Sequence, residues 1–203
     1  MLKSSAVILA AGASRRLGYN KLCLRVDGEA VIRKTVRFFL EAEVGEVAVV
    51  TGFERERIER ELAGLPVSFF HNERHEDGMS ASIKAALPIL SRSDRVFFHL
   101  GDKPFVEGDI IDGVTAAYET GRYSIIVPVH EGIKGHPVLV NMRRHLRAVR
   151  MIKGEGGLRD FIEAHRPDVY FLEAGIGTIL DLDTEEDVKS LRRRGYAIEE
   201  DQG

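Results

Sequence analysis

Between Ser5 and Lys21 the chain reads SAVILAAGASRRLGYNK, a run of strand-forming residues that gives way to small residues, two glycines, two arginines and a lysine. Gly12 and Gly18 remove side chains that would keep a ligand off the backbone, while Arg15, Arg16 and Lys21 add positive potential, so the stretch suits a phosphate-bearing ligand. The other reading of the same composition is a solvated turn rich in Gly and Arg. It is not a P-loop, because five residues separate the glycines where a P-loop has four, and Tyr19 stands where Lys-Ser/Thr would be. Nor is it the dinucleotide fingerprint GxGxxG. Further on, HLGDKPF places Asp102 where an apolar run ends ahead of a helical pattern. A carboxylate there can hold Mg²⁺, which takes one or two protein carboxylates and fills its remaining positions with phosphate and water. A helix N-cap is the alternative role for Asp102.

The elements that must position these residues alternate. SAVILA, EVAVVT, VSFFH and RVFFHLGD read as strands, separated by the amphipathic runs AVIRKTVRFFLEA, ERERIERELAG ending at Gly64, and MSASIKAALPIL. Strands that are apolar on both faces belong in a parallel sheet covered by helices. The expected fold is therefore α/β: a doubly wound, mostly parallel sheet in a three-layer α/β/α sandwich. Its ligands bind beyond the carboxyl ends of the strands, where the Gly-rich stretch lies. After the helix DIIDGVTAAYE, the pair SIIVPV and HPVLVN suggests an antiparallel excursion. The C-terminal third reads as helix GLRDFIEAH, strand VYFLE, strand TILDL, and helix TEEDVKSLRRR, with Thr184 and Asp187 set as a capping box.

Composition narrows the field. With 203 residues, 44% of them apolar and 30% charged, one domain spanning residues 1–203 is expected. A net charge of −3 argues against nucleic acid as a partner, and no apolar run approaches the ~20 residues that a membrane span needs. The expected setting is the cytoplasm, as no basic segment precedes a long hydrophobic one at the N-terminus. Cys23 is the only cysteine and reads as core filler, and Arg192 to Arg194 read as cations at a helix end. His71 and His75 have the spacing of half a zinc site but lack companions, and His99 alternates within an apolar strand as a core residue would.

LAAGASRRLGYNK, Leu9 to Lys21, resembles the LAAGxSxRMGxxK signature of the MobA-like NTP transferase superfamily, with Leu17 in place of the family methionine. Three further stretches resemble its molybdenum cofactor cytidylyltransferase branch: NERHEDGMSASI (Asn72 to Ile83), GHPVLV (Gly135 to Val140) and KGEGGLR (Lys153 to Arg159), the last departing from the branch at Glu155 and Leu158. LDLDTEEDV resembles the family's DIDTPEDL, and Lys103 departs from the usual GDQP or GDMP, with a phosphate contact or solvent as its two readings. The resemblance implies that Leu9, Ala10, Ala11 and Gly12 meet the nucleotide and that Arg16 and Lys21 grip its triphosphate and act in catalysis with Asp102. It implies that Asn72, Gly78, Ser80 and Ser82 sit near base and ribose, that His136 and Arg159 face the acceptor, and that Asp183 joins Asp102 on the metal. His136 and Asp183 keep structural alternatives, the latter as the cap of the final helix.

The implied reaction is nucleotidyl transfer with Mg²⁺, or Mn²⁺ as a substitute. Ala10 and Ala11 resemble the CTP-using version, where guanylyltransferases read Ala-Gly-Gly. The implied acceptor is phosphorylated, Mo-molybdopterin by family likeness, giving molybdopterin cytosine dinucleotide and pyrophosphate for a recipient molybdoenzyme. Two alternatives stand beside it: a sugar- or polyol-phosphate nucleotidyltransferase of the same fold, and a non-catalytic nucleotide-binding accessory protein for cofactor delivery.

Overall fold

The computed structural model of the chain describes residues 2–14, 17–106 and 108–199. Its strands, in chain order, are β1 (Ser4–Ala10), β2 (Arg25–Val26), β3 (Glu29–Ala30), β4 (Glu46–Thr51), β5 (Val67–His71), β6 (Arg95–Leu100), β7 (Ile125–His130), β8 (Ile133–Lys134), β9 (Val138–Asn141), β10 (Val169–Glu173) and β11 (Ile198–Glu199). The helices are α1 (Val31–Glu41), α2 (Arg55–Glu61), α3 (Met79–Ala85), α4 (Leu87–Leu90), α5 (Asp109–Glu119), α6 (Met142–Arg150), α7 (Gly157–Ala164) and α8 (Glu185–Arg193). The main sheet runs β10-β7-β9-β6-β1-β4-β5, with β8 hairpinned onto β7, and β11-β2-β3 forms a small separate sheet. β1 is parallel to both its neighbours, β4 and β6, whereas β9 is antiparallel to β6 and β7.

The alternation within β1 explains the layers. Ala6, Ile8 and Ala10 pack with α1, α2, α5 and α8 through Phe39, Ile58, Val114 and Leu191, while Val7, Leu9 and Ala11 pack with α3, α4, α6 and α7 through Ile83, Leu90, Val149 and Phe161. Side chains pointing to opposite faces of a strand thus each meet a helical layer, and each large one fully buried contributes roughly 1.5–3 kcal/mol. The expected mostly parallel α/β/α sandwich is the observed fold, antiparallel excursion included. No helix among the described residues is long and apolar enough to cross a membrane.

Three expectations are corrected. TILDL is not a strand: Ile176–Thr178 is a short 3-10 turn and residues 179–183 join no sheet, although Leu182 is fully buried. The alternation of Leu180, Leu182 and the acids imitates a strand, yet residues 179–183 pair with no strand, and the Ile179 carbonyl accepts from the Lys103 ammonium instead. MSASIKAALPIL is two helices rather than one, since Pro88 has no N–H to continue α3 and sits instead in the first turn of α4. The helix expected to reach Gly64 ends at Glu61, with Leu62 as its cap.

Candidate active site

Register brings the chemistry to one end of the sheet. Leu9 on β1 lies opposite Leu100 on β6, so the turn at Ala11–Gly12 and the turn at Gly101–Asp102 leave the sheet side by side. The Leu9 carbonyl accepts from Gly101 N–H at 2.9 Å, tying them. Gly12 is exposed, and a Cβ built on it would meet nothing within 4 Å, so its missing side chain opens the backbone to a ligand. The chain then returns: Ser14 Oγ accepts from Lys21 N–H at 3.2 Å, and Asn20 Oδ1 caps the next turn through Leu22 N–H at 3.1 Å. Arg16, expected to grip triphosphate, lies outside the described residues, as does Arg15.

The Lys21 ammonium donates to both Asp102 and Asp183. All three side chains are largely shielded, 16%, 13% and 27% exposed. Burial pulls the Lys21 pKa down, but the Asp102 and Asp183 carboxylates outweigh it and leave it raised. Two carboxylates from distant parts of the chain thus converge on a single cationic atom. Hard oxygens converging on one position fit a divalent cation of the Mg²⁺ type, which needs only one or two such ligands beside phosphate oxygens. Asp183 is held there by the helix that follows: its N–H donates to Asp187 Oδ2 at 3.2 Å, and Thr184 and Asp187 form the expected capping box at the start of α8.

Across a cleft of about 540 Å³ stands the 72–82 stretch. Leu9 to Gly12, Lys21, Asp102 and Asp183 line this cleft together with Gly78 and Ser82. Asn72 does not line it: it is buried, donating to Ser82 Oγ at 3.1 Å and accepting from Arg74 N–H at 3.0 Å, so it holds the stretch in shape. Ser80 is also buried, its N–H bonded to the Gly154 carbonyl at 3.3 Å. Two elements distant in sequence, around Ser80 and around Gly154, therefore meet. Gly78 has φ +88°, and a Cβ there would lie 2.8 Å from the Glu155 carboxylate, while one on Gly157 would lie 2.8 Å from Met79 Sδ.

The two acceptor-side expectations fall outside this lining. Arg159 is exposed near Asp160, at 3.8 Å. His136 is half-buried; its ring faces His99 edge-on at 5.9 Å and its Nδ1 pairs with the Phe98 carbonyl at 3.3 Å. Burial first and the Lys103 charge second push its pKa down to about 4, so it is neutral at pH 7. His99 is a core residue, as read: Nε2 pairs with the Lys103 carbonyl at 3.0 Å, and Nδ1 is without a partner among the described residues. Lys103 takes neither of its two expected roles, since its ammonium is buried against Ile179 and Asp181. His75, Glu76, Met79 and Glu155 also line the cleft. Glu155 was visible in sequence only as a departure from a motif, because nothing local says that residue 155 will face residue 78. Cys23 is buried, as expected of filler.

Residues 6–169 match the family model of the MobA-like NTP transferase domain. The chain is 26% identical over 189 residues to the molybdenum cofactor cytidylyltransferase of Escherichia coli (strain K12), covering 93% of this chain and 95% of that protein. It is 31% identical over 175 residues to the 2-C-methyl-D-erythritol 4-phosphate cytidylyltransferase of Bacillus mycoides (strain KBAB4), covering 79% of this chain and 75% of that one. Among solved structures, Rv0371c of Mycobacterium tuberculosis H37Rv superposes with a TM-score of 0.83 at 24% identity, covering 95% of this chain and 98% of that one. A structure of Rv0371c in complex with manganese gives 0.79 at 21% identity, with 93% and 97% covered. A signature loop and two convergent carboxylates at the carboxyl ends of a doubly wound sheet thus agree with a match across most of the chain, which belongs to the MobA-like NTP transferase family and is a nucleotidyltransferase.

Proposed function

We propose that the protein transfers CMP from CTP to a phosphorylated acceptor, Mo-molybdopterin, releasing pyrophosphate and molybdopterin cytosine dinucleotide for a recipient molybdoenzyme in the cytoplasm, and that one domain, residues 1–203, does this work. The observation that carries the reading is the convergence of Asp102 and Asp183 on the Lys21 ammonium beside the open backbone of Gly12. The Ala-Ala-Gly entrance and the match to the E. coli cytidylyltransferase support cytidine over guanosine.

In the proposed chemistry an acceptor phosphate oxygen forms a bond to the α-phosphorus in line as the bond to pyrophosphate breaks. Ala10 to Gly12 and Ser82 hold the nucleotide, and Lys21, with Arg16 by motif, counters the charge that grows on the leaving pyrophosphate. A divalent cation held by Asp102 and Asp183, Mg²⁺ or Mn²⁺, supplies charge neutralisation at the phosphates when bound. The manganese complex of Rv0371c supports a divalent ion in this fold. A phosphate acceptor is already ionised at neutral pH, so no side chain need remove its proton. No nucleophilic side chain is needed either, and the Ser124–His145 hydrogen bond, 2.7 Å long, is buried in the core away from the cleft.

A second reading, a polyol phosphate as acceptor, is favoured by the 31% identity to the B. mycoides enzyme. A nucleotide-by-acceptor panel with purified protein separates the two through pyrophosphate release. Release that needs both CTP and molybdopterin is the expected result, and release with 2-C-methyl-D-erythritol 4-phosphate instead would transfer the assignment. Nucleotide binding with no release for any acceptor would favour the accessory-protein alternative.

A further inference from the structure

Among the described residues, Lys103 is the only Lys, Arg, Asp or Glu that is buried, at 6% exposure. Taking an ammonium out of water costs several kcal/mol unless it is paired and hydrogen-bonded, so a lysine retained there must be held by partners. Its Nζ donates to the Ile179 carbonyl at 3.1 Å and to Asp181 Oδ2 at 3.2 Å. Both partners belong to residues 179–183, the stretch that no sheet or helix holds.

The backbone of Lys103 is fixed independently. Its N–H donates to the Leu100 carbonyl at 3.3 Å, and its own carbonyl pairs with His99 Nε2 at 3.0 Å. Asp102 is its immediate neighbour, and Asp183 lies two residues from Asp181. Between the two acids Leu182 is fully buried, so Asp181 and Asp183 leave the stretch as alternating side chains, the first to Lys103 and the second to Lys21.

We propose that Lys103 is a positioning residue for the transfer centre: its ammonium ties the 179–183 stretch to the Asp102 turn and so sets the separation at which Asp102 and Asp183 face a divalent cation. The proposal rests on the reading of those two carboxylates as cation ligands. With its ammonium enclosed and committed to two oxygens, Lys103 acts through Asp183 rather than on phosphate.

The test uses full-length protein and Mn²⁺ alone, with free Mn²⁺ followed by electron paramagnetic resonance, and amide hydrogen exchange on the metal-free protein. Lys103→Met keeps an unbranched side chain one atom shorter and removes the charge. It is expected to weaken Mn²⁺ binding on the order of tenfold, the usual effect of losing a group that orients a ligand, and to speed exchange at residues 179–184 while leaving the rest of the sheet unchanged. Asp181→Ala, at a side chain 39% exposed, should do the same, and the double variant should be no worse than the worse single one, because both remove a single tie. If Lys103→Met fails to fold, Asp181→Ala decides alone. Mn²⁺ affinity within twofold of wild type in the folded single variants, with Asp102→Asn clearly weakened, overturns the proposal and keeps the cation-site reading. If Asp102→Asn binds Mn²⁺ like the wild type, the cation-site reading falls and the proposal falls with it.

Discussion

The sheet has a cleft at each end. The one at the amino ends of β1, β4 and β6 is the larger, about 730 Å³ against about 540 Å³, and is no poorer in charged side chains, among them Glu46, Arg92, Arg95 and Glu119. There these four pair off one to one: Arg92 with Glu46, and Arg95 with Glu119 at 3.3 Å. At the carboxyl end two carboxylates share one ammonium instead. Glycines differ in the same way. A Cβ on Gly45 would sit 2.5 Å from the Ser4 carbonyl, so that glycine serves packing, whereas Gly12 faces open space. Size and charge content do not mark the site; unequal pairing and unfilled backbone do.

The sharpest way to break this contrast is Asp102→Asn. It should lower kcat by on the order of 10²–10³, the scale of losing one preorganised electrostatic partner, while circular dichroism stays native; undiminished pyrophosphate release would remove Asp102 from the reaction. Lys21→Ala should weaken CTP binding by about 10–100-fold, since a hydrogen bond to a charged group contributes ~1.5–3 kcal/mol. Calorimetry reads it, and an unchanged Kd would mean that the shared ammonium is only a structural tie.

Titration should also tell the ends apart. His136 is held at about 4, below its ordinary 6.5, and His99 well below it, in both cases chiefly by burial. The unfolded chain takes up protons on these rings near pH 6.5 while the folded one does not, so stability is full above 6.5 and falls as pH drops toward 4. Asp94, at the other end, is held below the ordinary carboxylate range by its Arg143 hydrogen bond and then Lys3, so its contribution is lost only at lower pH. Urea midpoints from pH 7.5 to 4 measure the first slope, and His136→Asn should flatten it.

Smaller effects come from the glycines and the paired ions. Gly45→Ala, at φ +102° and against a carbonyl, should cost roughly 1–3 kcal/mol of stability with the KM for CTP unaltered. Gly12→Ala should do the reverse, keeping Tm and raising KM; a Tm loss there would make Gly12 a packing residue. Arg92→Ala should change stability by less than ~1 kcal/mol, the scale of an exposed ion pair, and leave kcat as it is.

Much of this was legible because the parallel strands announce themselves. β1, β4 and β6 are apolar on both faces, and the loop after β1 is spelled in glycine, small residues and cations. What sequence did not give has a common physical cause. The 179–183 stretch has the alternation of a strand but joins no sheet, and it is held by side chains from elsewhere, Lys103 above all. The motif expects Asn72 and Ser80 at the nucleotide; both are buried outside the cleft lining, Asn72 bonded to Ser82 within its own stretch and Ser80 N–H to the Gly154 carbonyl. Glu155 reaches the cleft only through the packing of α7 against α3, a contact between segments that no local pattern encodes.

β9 runs against its neighbours, and this has a consequence for the diversity that such a scaffold can support. A reversed strand delivers its beginning where β1 and β6 deliver their ends, so Gly135 to Pro137, between β8 and β9, arrive at the same end of the sheet as the turns after β1 and β6. The nucleotide grip is spelled in the first half of the chain and this segment in the second. Changes confined to residues 131–137 would therefore leave the Lys21–Asp102–Asp183 cluster and the open backbone of Gly12 untouched.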